Sequence, residues 1–544
     1  MAGSTHTVTN QVPPLVGYDV FSADRALAAA VERHVEPGLR EEVLGELSAL
    51  GRTSGSAQVQ EWGVLANENP PRLRTHDRYG NRIDEVEFHP SWHRLLGKGV
   101  SAGLTAAWDR PAGHVRRAAA FVVWTQVEAG NGCPLSMTHA AVPALRTDPE
   151  LAAEWEPRLT SMVYDRELRP AHLKAGALFG MGMTEKQGGS DVRANTTSAR
   201  PLAQDGTYEL TGHKWFCSAP MSDGFLVLAQ APGGLTCFLV PRVLRDGMRN
   251  VFLLQRLKDK LGNRSNASAE VEFDGTWARR VGEEGRGVRT IIEMVAATRL
   301  DCVLGSAGLM RQAVAQAVHH CSHREAFGSK LTDQPLMRNV LADLALESEA
   351  ATTLALRLAA AWDDGGEQER ALLRIAVPAA KYWVTKRCPA VAVEAAECLG
   401  GNGYVEESGM PRLVRESPLN SIWEGAGNVQ ALDVVRALRR EPAALDAYLR
   451  EVGQARGADH RLDAAVKDLL TELADLDGVE GRARRLVERL ALVLQGSLLV
   501  RFAPPQVADA FCAGRLGGDG GAAFGTLPHT LDLASVVERA RPVS

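Results

Sequence analysis

Apolar residues recur at helical spacing from about residue 88 to 180. The run from Val115 to Ala129, with Phe121, Val122, Trp124 and Val127 between polar positions, is typical. Between about 181 and 285 the period shortens. Thr207–Leu210, Phe225–Gln230, Leu235–Val240 and Ala269–Phe273 read as strands, and Asp205-Gly206 and Pro232-Gly233-Gly234 read as turns between them. Helical spacing returns at about 286. Val288–His323 predicts one or two long helices and Asp343–Trp362 another, while Pro378, Pro389, Pro411 and Gly400-Gly401 punctuate the later helical stretches. Residues 1 to about 55 combine a polar lead containing Pro13-Pro14 with short helical patterns, and the glycine-rich stretch 514–525 reads as a flexible connection. The pattern predicts an α+β chain: an N-terminal helical domain at 1–180, a small antiparallel β domain at 181–285, a helical bundle at 286–440 and a helical extension at 441–544.

Composition narrows the class. The 544 residues are 45% hydrophobic and 23% charged with a net charge of −5, which suits a soluble globular protein with room for large cores. The start of the chain lacks a basic, apolar leader, and the apolar run Leu490–Val500 is too short for a bilayer and is broken by Gln495-Gly496-Ser497. Eight widely spaced cysteines without a Cys-x-x-Cys pair suit reduced thiols, and a cytoplasmic protein is expected.

The segment Gly182-Met183-Thr184-Glu185-Lys186-Gln187-Gly188-Gly189-Ser190-Asp191 combines small residues, which expose backbone N–H groups, with hydroxyls. A pyrophosphate could be held there, although Gly-Gly-Ser-Asp is also ordinary turn chemistry. It is neither a Walker loop nor a Rossmann fingerprint. Trp215-Phe216-Cys217-Ser218 ends a predicted strand with an aromatic pair and a hydroxyl. Arg324 with Phe327-Gly328 offers a guanidinium and a ring, and Gly400-Gly401-Asn402-Gly403-Tyr404 is a second glycine-rich approach. Ser421-Ile422-Trp423-Glu424-Gly425 places one carboxylate between an aromatic residue and a glycine, as a base or as a structural glutamate.

The order of these segments resembles the acyl-CoA dehydrogenase family. The runs 180–192, 256–268 and 420–425, with the opening Thr5–Gln11, are similar to its AidB-like subgroup, which is tied to the bacterial response to DNA alkylation. The resemblance implies FAD rather than NAD. It implies that Met183, Thr184, Gly189 and Ser190, with Phe216 and Ser218, hold the flavin and its pyrophosphate. Arg324, Phe327 and Gln334 would reach the FAD of a partner subunit, and Gly400, Gly401, Gly403, Trp423, Gly425 and Asn428 would complete the site. A shared site implies a homo-oligomer, expected to be a tetramer. Glu424 is the implied catalytic base, taking the α-proton of an acyl thioester while hydride leaves the β-carbon for flavin N5. Such a base needs a raised pKa, which burial beside Trp423 would favour.

The chain departs from the family at Ala426, where a threonine is usual, at Asn428 for glutamine, and at Glu397, whose carboxylate would repel phosphate unless turned away. Arg299 falls where relatives serve the acyl-CoA pocket, and an internal salt bridge is an equal reading. The subgroup also implies binding of duplex DNA. Residues 441–544 carry 12 Lys and Arg against 15 Asp and Glu, a poor start for phosphate binding. Local stripes exist at Arg436, Arg439 and Arg440 and at Arg482, Arg485 and Arg489, where a DNA face competes with solvated arginines. Seven basic residues against two acidic lie between 242 and 264. His319 and His323 share a helical face but lack a third ligand at metal spacing, so no metal is expected.

Overall fold

A computed structural model describes residues 5–203 and 205–542. The chain divides into two compact units, Gln58–Asp301 and Met1–Ala57 with Cys302–Ser544.

In Gln58–Asp301, the helices Gly113–Thr125 and Gly132–Leu145 are buried along nearly their whole length. Alanine and valine leave Gly113–Thr125 without a polar face, as a helix enclosed on all sides requires. Its Arg117 is neutralised inside, donating to both carboxylate oxygens of Asp301 at 2.6 and 2.7 Å.

A hairpin not foreseen from the sequence, β1 (Arg72–His76) and β2 (Arg82–Glu87), precedes the main sheet. Seven strands follow: β3 (Phe179–Gly182), β4 (Ser198–Pro201), β5 (Thr207–Ser218), β6 (Gly224–Ala231), β7 (Gly234–Pro241), β8 (Leu253–Leu257) and β9 (Ser268–Val281). Most pairings are antiparallel, but β3 and β4 each run parallel to β6. β6 pairs β7, β7 pairs β9, β9 pairs β5, β5 pairs β4, and β4 returns to β6 at Ser198 and Gln230, so the sheet closes on itself. Phe225, Phe238, Phe252 and Phe273 fill its interior. The β5–β9 register slips between Lys214 and Cys217. Such an irregularity re-aims side chains. Phe216, which alternation places opposite Cys217, is half exposed, while Cys217 is fully buried.

The second unit is built on two long helices, Pro335–Asp364 and Glu367–Cys398. Gly365, at φ +60°, ends the first with a left-handed cap. The second packs against the first and against Gly427–Arg440, Pro442–Gly453 and Ala483–Phe502. It runs through Pro378 and Pro389 without ending, because its buried residues on either side are held by four neighbouring helices. Pro411 instead opens the short helix Met410–Glu416, where a missing N–H costs nothing. Val288–His323 forms a single helix, Gly287–His323.

The glycine-rich stretch is fastened rather than slack. Gly525 N donates to Asp343 Oδ2 at 2.9 Å and Leu527 N to Asn339 Oδ1 at 3.0 Å, both on Pro335–Asp364. All eight cysteines are buried thiols outside any disulfide. Among the described residues no helix is long and apolar enough to cross a membrane.

Candidate active site

The residues expected around the flavin fall in both units. In Gln58–Asp301, residues 183–191 follow β3 and fold around Glu185. This side chain is fully buried and accepts from Lys214 Nζ (2.7 Å), Thr196 N (2.7 Å) and Thr197 N (3.1 Å). Burial would raise the Glu185 carboxyl, but the Lys214 ammonium and these donors hold it well below the usual carboxylate range. The pair pins the loop to β5, and Trp215 N adds a bond to Thr184 O at 2.8 Å. Gly189 must be glycine here, since a Cβ would lie 2.4 Å from Thr184 Oγ1. Met183, Thr184, Gly189 and Ser190 therefore sit on one braced turn. Phe216 and Ser218 lie at the end of β5, where Lys258 Nζ stands 3.1 Å from the Trp215 ring centroid and 4.8 Å from that of Phe216.

The same unit holds a cavity of about 560 Å³ lined by Arg193, Gln230, Leu235, Gly285, Arg286, Val288, Arg289 and Ile292. Arg193 and Arg289 make no ion pair among the described residues, and Arg286 only a loose one to Glu283 at 3.9 Å. Arg299, half buried, lies two turns beyond Ile292 on the same helix.

In the other unit, Arg324, Phe327 and Gln334 come together at one hairpin, in which Glu325–Ala326 pairs with Ser329–Lys330. Phe327 and Gly328 form its two-residue tip at φ +52° and +84°, the left-handed pair that such turns use. Phe327 is 99% exposed. Gln334 Nε2 supports the hairpin through Ala326 O (3.3 Å) and Ser329 Oγ (2.6 Å). The N-terminal lead fastens it from behind: Asn10 exchanges side-chain hydrogen bonds with the backbone of Glu325, and Arg324 donates to Asn10 O. His319 Nε2 meets Pro13 O at 2.8 Å and His323 Nδ1 meets His319 O, so the histidine pair is spent on backbone.

Gly400, Gly401 and Gly403 lie in the 3₁₀ turn Gly400–Tyr404. A Cβ on Gly400 or Gly401 would meet nothing within 4 Å, whereas one on Gly403 would strike Ala396 O. Gly400 and Gly401 thus offer open backbone, and Gly403 is needed for packing. Glu397 is exposed on the preceding helix.

Trp423-Glu424-Gly425 forms a strained turn, with Glu424 at φ +57° and Gly425 at φ +93°. Two residues that no local motif singles out hold it. Lys381 Nζ, on a residue only 1% exposed, donates to Trp423 O (2.8 Å) and Gly425 O (2.7 Å). Gln430 Nε2 donates to Glu424 O (3.0 Å) and Gly425 O (2.8 Å). Trp423 Nε1 donates to Asn420 Oδ1 at 2.9 Å, and Asn420 Nδ2 to Ser306 Oγ at 3.1 Å. Ala426 and Asn428 follow at the start of Gly427–Arg440, where Arg484 Nε donates to Asn428 Oδ1 at 2.7 Å.

Four of the arginines considered for DNA face carboxylates. Arg436 is near Asp433 (3.4 Å), Arg439 near Glu480 (3.5 Å), and Arg482 and Arg489 both reach Glu472 (3.6 and 2.8 Å). Arg440 and Arg485 make no such pair among the described residues. In the 242–264 tract, Arg249 pairs with Glu85, while Arg256 and Lys258 pair with Glu270.

Three family models match in succession: the adaptive response protein AidB N-terminal domain at 10–166, the acyl-CoA dehydrogenase middle domain at 180–276 and the acyl-CoA dehydrogenase C-terminal domain at 285–439. The chain belongs to the acyl-CoA dehydrogenase family of FAD-dependent oxidoreductases. Within it the chain falls in the AidB-like subgroup: it is 46% identical over 527 residues to AidB of Escherichia coli (strain K12), covering 96% of both chains. It is 30% identical to acyl-CoA dehydrogenase family member 11 of Caenorhabditis elegans, over 84% of this chain and 80% of that one. The crystal structure of C. elegans ACDH-11 in complex with C11-CoA superposes with a TM-score of 0.85 at 26% identity, covering 94% of each chain.

Proposed function

We propose that this protein oxidises an acyl-CoA thioester, with Glu424 as the base that takes the α-proton. The observation that carries the reading is the locked turn at Glu424. A non-glycine residue at positive φ is costly, and four hydrogen bonds from Lys381 and Gln430 hold it there. A carboxylate on so rigid a backbone is positioned to remove a weakly acidic proton.

The residues present fit FAD. Phe216 offers a half-exposed ring beside a hydroxyl, Gly400 and Gly401 leave backbone open, and the 183–190 turn presents Thr184, Ser190 and bare glycine N–H groups. Met183, Thr184, Gly189, Ser190, Phe216, Ser218, Trp423, Gly425 and Asn428 would hold it. Arg324, Phe327, Gln334, Gly400, Gly401 and Gly403 would serve the FAD of a second subunit. FAD supplies the hydride acceptor. The exposure of Phe327 (99%), Tyr404 (92%) and Leu336 (83%) supports assembly with further copies, and we assign a homotetramer in the cytoplasm, where eight buried reduced thiols are at home.

The cavity bearing Arg193, Arg286 and Arg289 beside Leu235, Val288 and Ile292 supports CoA as carrier, since it combines cations for phosphates with apolar wall for a pantetheine arm. Arg299 lies two turns further along the same helix. The test is Glu424→Gln: flavin bleaching by a panel of acyl-CoA esters should be lost while the FAD absorption band stays. Bleaching at the wild-type rate would remove Glu424 from the mechanism. A second role on duplex DNA is supported by the likeness to AidB and by Arg440 and Arg485, the two arginines without carboxylate partners.

A further inference from the structure

The hairpin of Glu325–Ala326 with Ser329–Lys330 holds only two residue pairs. A ladder so short does not keep its shape in water by its own hydrogen bonds. Its tip buries nothing: Phe327 is exposed, and a Cβ on Gly328 would meet no atom within 4 Å. The tip is nonetheless held in one left-handed conformation, and bonds that hold it come from far along the chain. Asn10 is itself left-handed, at φ +55°, a conformation that asparagine tolerates better than most residues. From there its Nδ2 donates to Glu325 O at 2.8 Å and its Oδ1 accepts from Glu325 N at 2.9 Å. The amide thus pairs with Glu325 as a third strand would. Arg324 closes the arrangement on Asn10 O.

The same device recurs beyond Gln334. Asn339, on Pro335–Asp364, donates through Nδ2 to Leu527 O at 2.8 Å and accepts at Oδ1 from Leu527 N at 3.0 Å. Beside it Gly525, at φ +79°, comes so close that a Cβ would lie 2.6 Å from Val340 Cγ2. Leu336, three residues before Asn339, is exposed. Residues 324–340 are therefore clasped twice, at Asn10 and at Leu527, around two large apolar side chains that this protomer leaves uncovered. Bracing of this kind adds nothing to the protomer's own core. It lowers the ordering cost of an association.

We infer that Asn10 and Asn339 are positioning residues for self-association. Their amides hold Phe327 and Leu336 in the arrangement that docks on a second copy of this chain, where Phe327 reaches the FAD. Their role rests on the shared flavin site of the proposed function.

The test uses the full-length, FAD-loaded protein. Sedimentation velocity over a dilution series gives the dissociation constant of the assembly, and flavin titration gives FAD affinity. Asn10→Gly keeps the left-handed backbone and removes both side-chain bonds, and Asn339→Ala removes the pair to Leu527. Each should weaken self-association and FAD binding by about tenfold, the size expected for a lost pair of hydrogen bonds. In a Phe327→Ala background Asn10→Gly should add almost nothing, because the ring it positions is gone. A lower melting temperature with association and FAD affinity unchanged overturns the inference, and so do losses that add in the double variant. A wild-type protein that holds FAD as a monomer at every concentration overturns the shared-site reading itself, a result distinct from the others.

Discussion

Lys381 Nζ lies 2.7 Å from the carbonyl oxygen of Gly425 and 2.8 Å from that of Trp423, bridging the backbone on both sides of Glu424. Lys381→Met keeps the bulk and removes both donors. It should cost about 2–4 kcal/mol of stability, from two lost charge-assisted hydrogen bonds and a Trp423 carbonyl left without its donor, and lower the rate of flavin reduction while FAD stays bound. Stopped-flow reduction together with a thermal melt checks this. A melt lowered without any change in reduction rate would make Lys381 purely structural.

Gly189→Ala drives a methyl group to 2.4 Å from Thr184 Oγ1, on a turn already held by Trp215. Overpacking of this kind costs about 1–3 kcal/mol. The variant should melt lower and bind FAD about tenfold more weakly, and Thr184→Ala added to it should restore the melt but not the affinity. Calorimetry and flavin titration on the three proteins separate packing from binding.

Burial, reinforced by neighbouring arginine charge, pushes His34 and His93 down to about 4 and His114 to about 3. The unfolded chain takes up these protons near pH 6.5 and the folded protein does so only below about 4. Stability is therefore greatest above pH 6.5 and falls as the pH drops toward 4. Melts across pH 4–7 should show this slope, and His93→Gln, which removes one such group, should flatten it. An identical slope in the variant would exclude His93 from the effect.

Arg482 donates to the carbonyls of Glu472 and Asp475, closing the end of the helix His460–Leu473. Arg482→Glu should lower the melting temperature and leave duplex affinity where it was. A salt titration of wild-type binding should give no better than the non-specific range of about 10⁻⁴–10⁻⁶ M at physiological salt. Nanomolar binding with a steep salt slope, reduced by charge reversal at Arg440 and Arg485, would instead establish the DNA role.

Local pattern announced much of the fold. The four predicted strands lie within β5, β6, β7 and β9, and the long helices around 288–323 and 343–362 are present. The resemblance picked out the turn at Trp423–Gly425. What escaped the sequence depends on contacts between distant residues. Lys381 stands 44 positions from Gly425 and Lys214 stands 29 from Glu185, and neither looks other than a surface lysine in its own neighbourhood. Pro378 and Pro389 misled for the same reason: tertiary packing outweighed a local helix-breaking tendency. The register slip between Lys214 and Cys217 depends on the pairing of β5 with β9, which no single strand encodes.

With every thiol enclosed, a cysteine-specific reagent should find almost nothing to modify in the native protein. Cys133, Cys217 and Cys237 belong to one compact unit and Cys302, Cys321, Cys388, Cys398 and Cys512 to the other. The chain thus carries its own set of opening reporters. The order in which these eight sulfurs become alkylated under mild denaturant would reveal which half of the molecule loosens first, without a single engineered label.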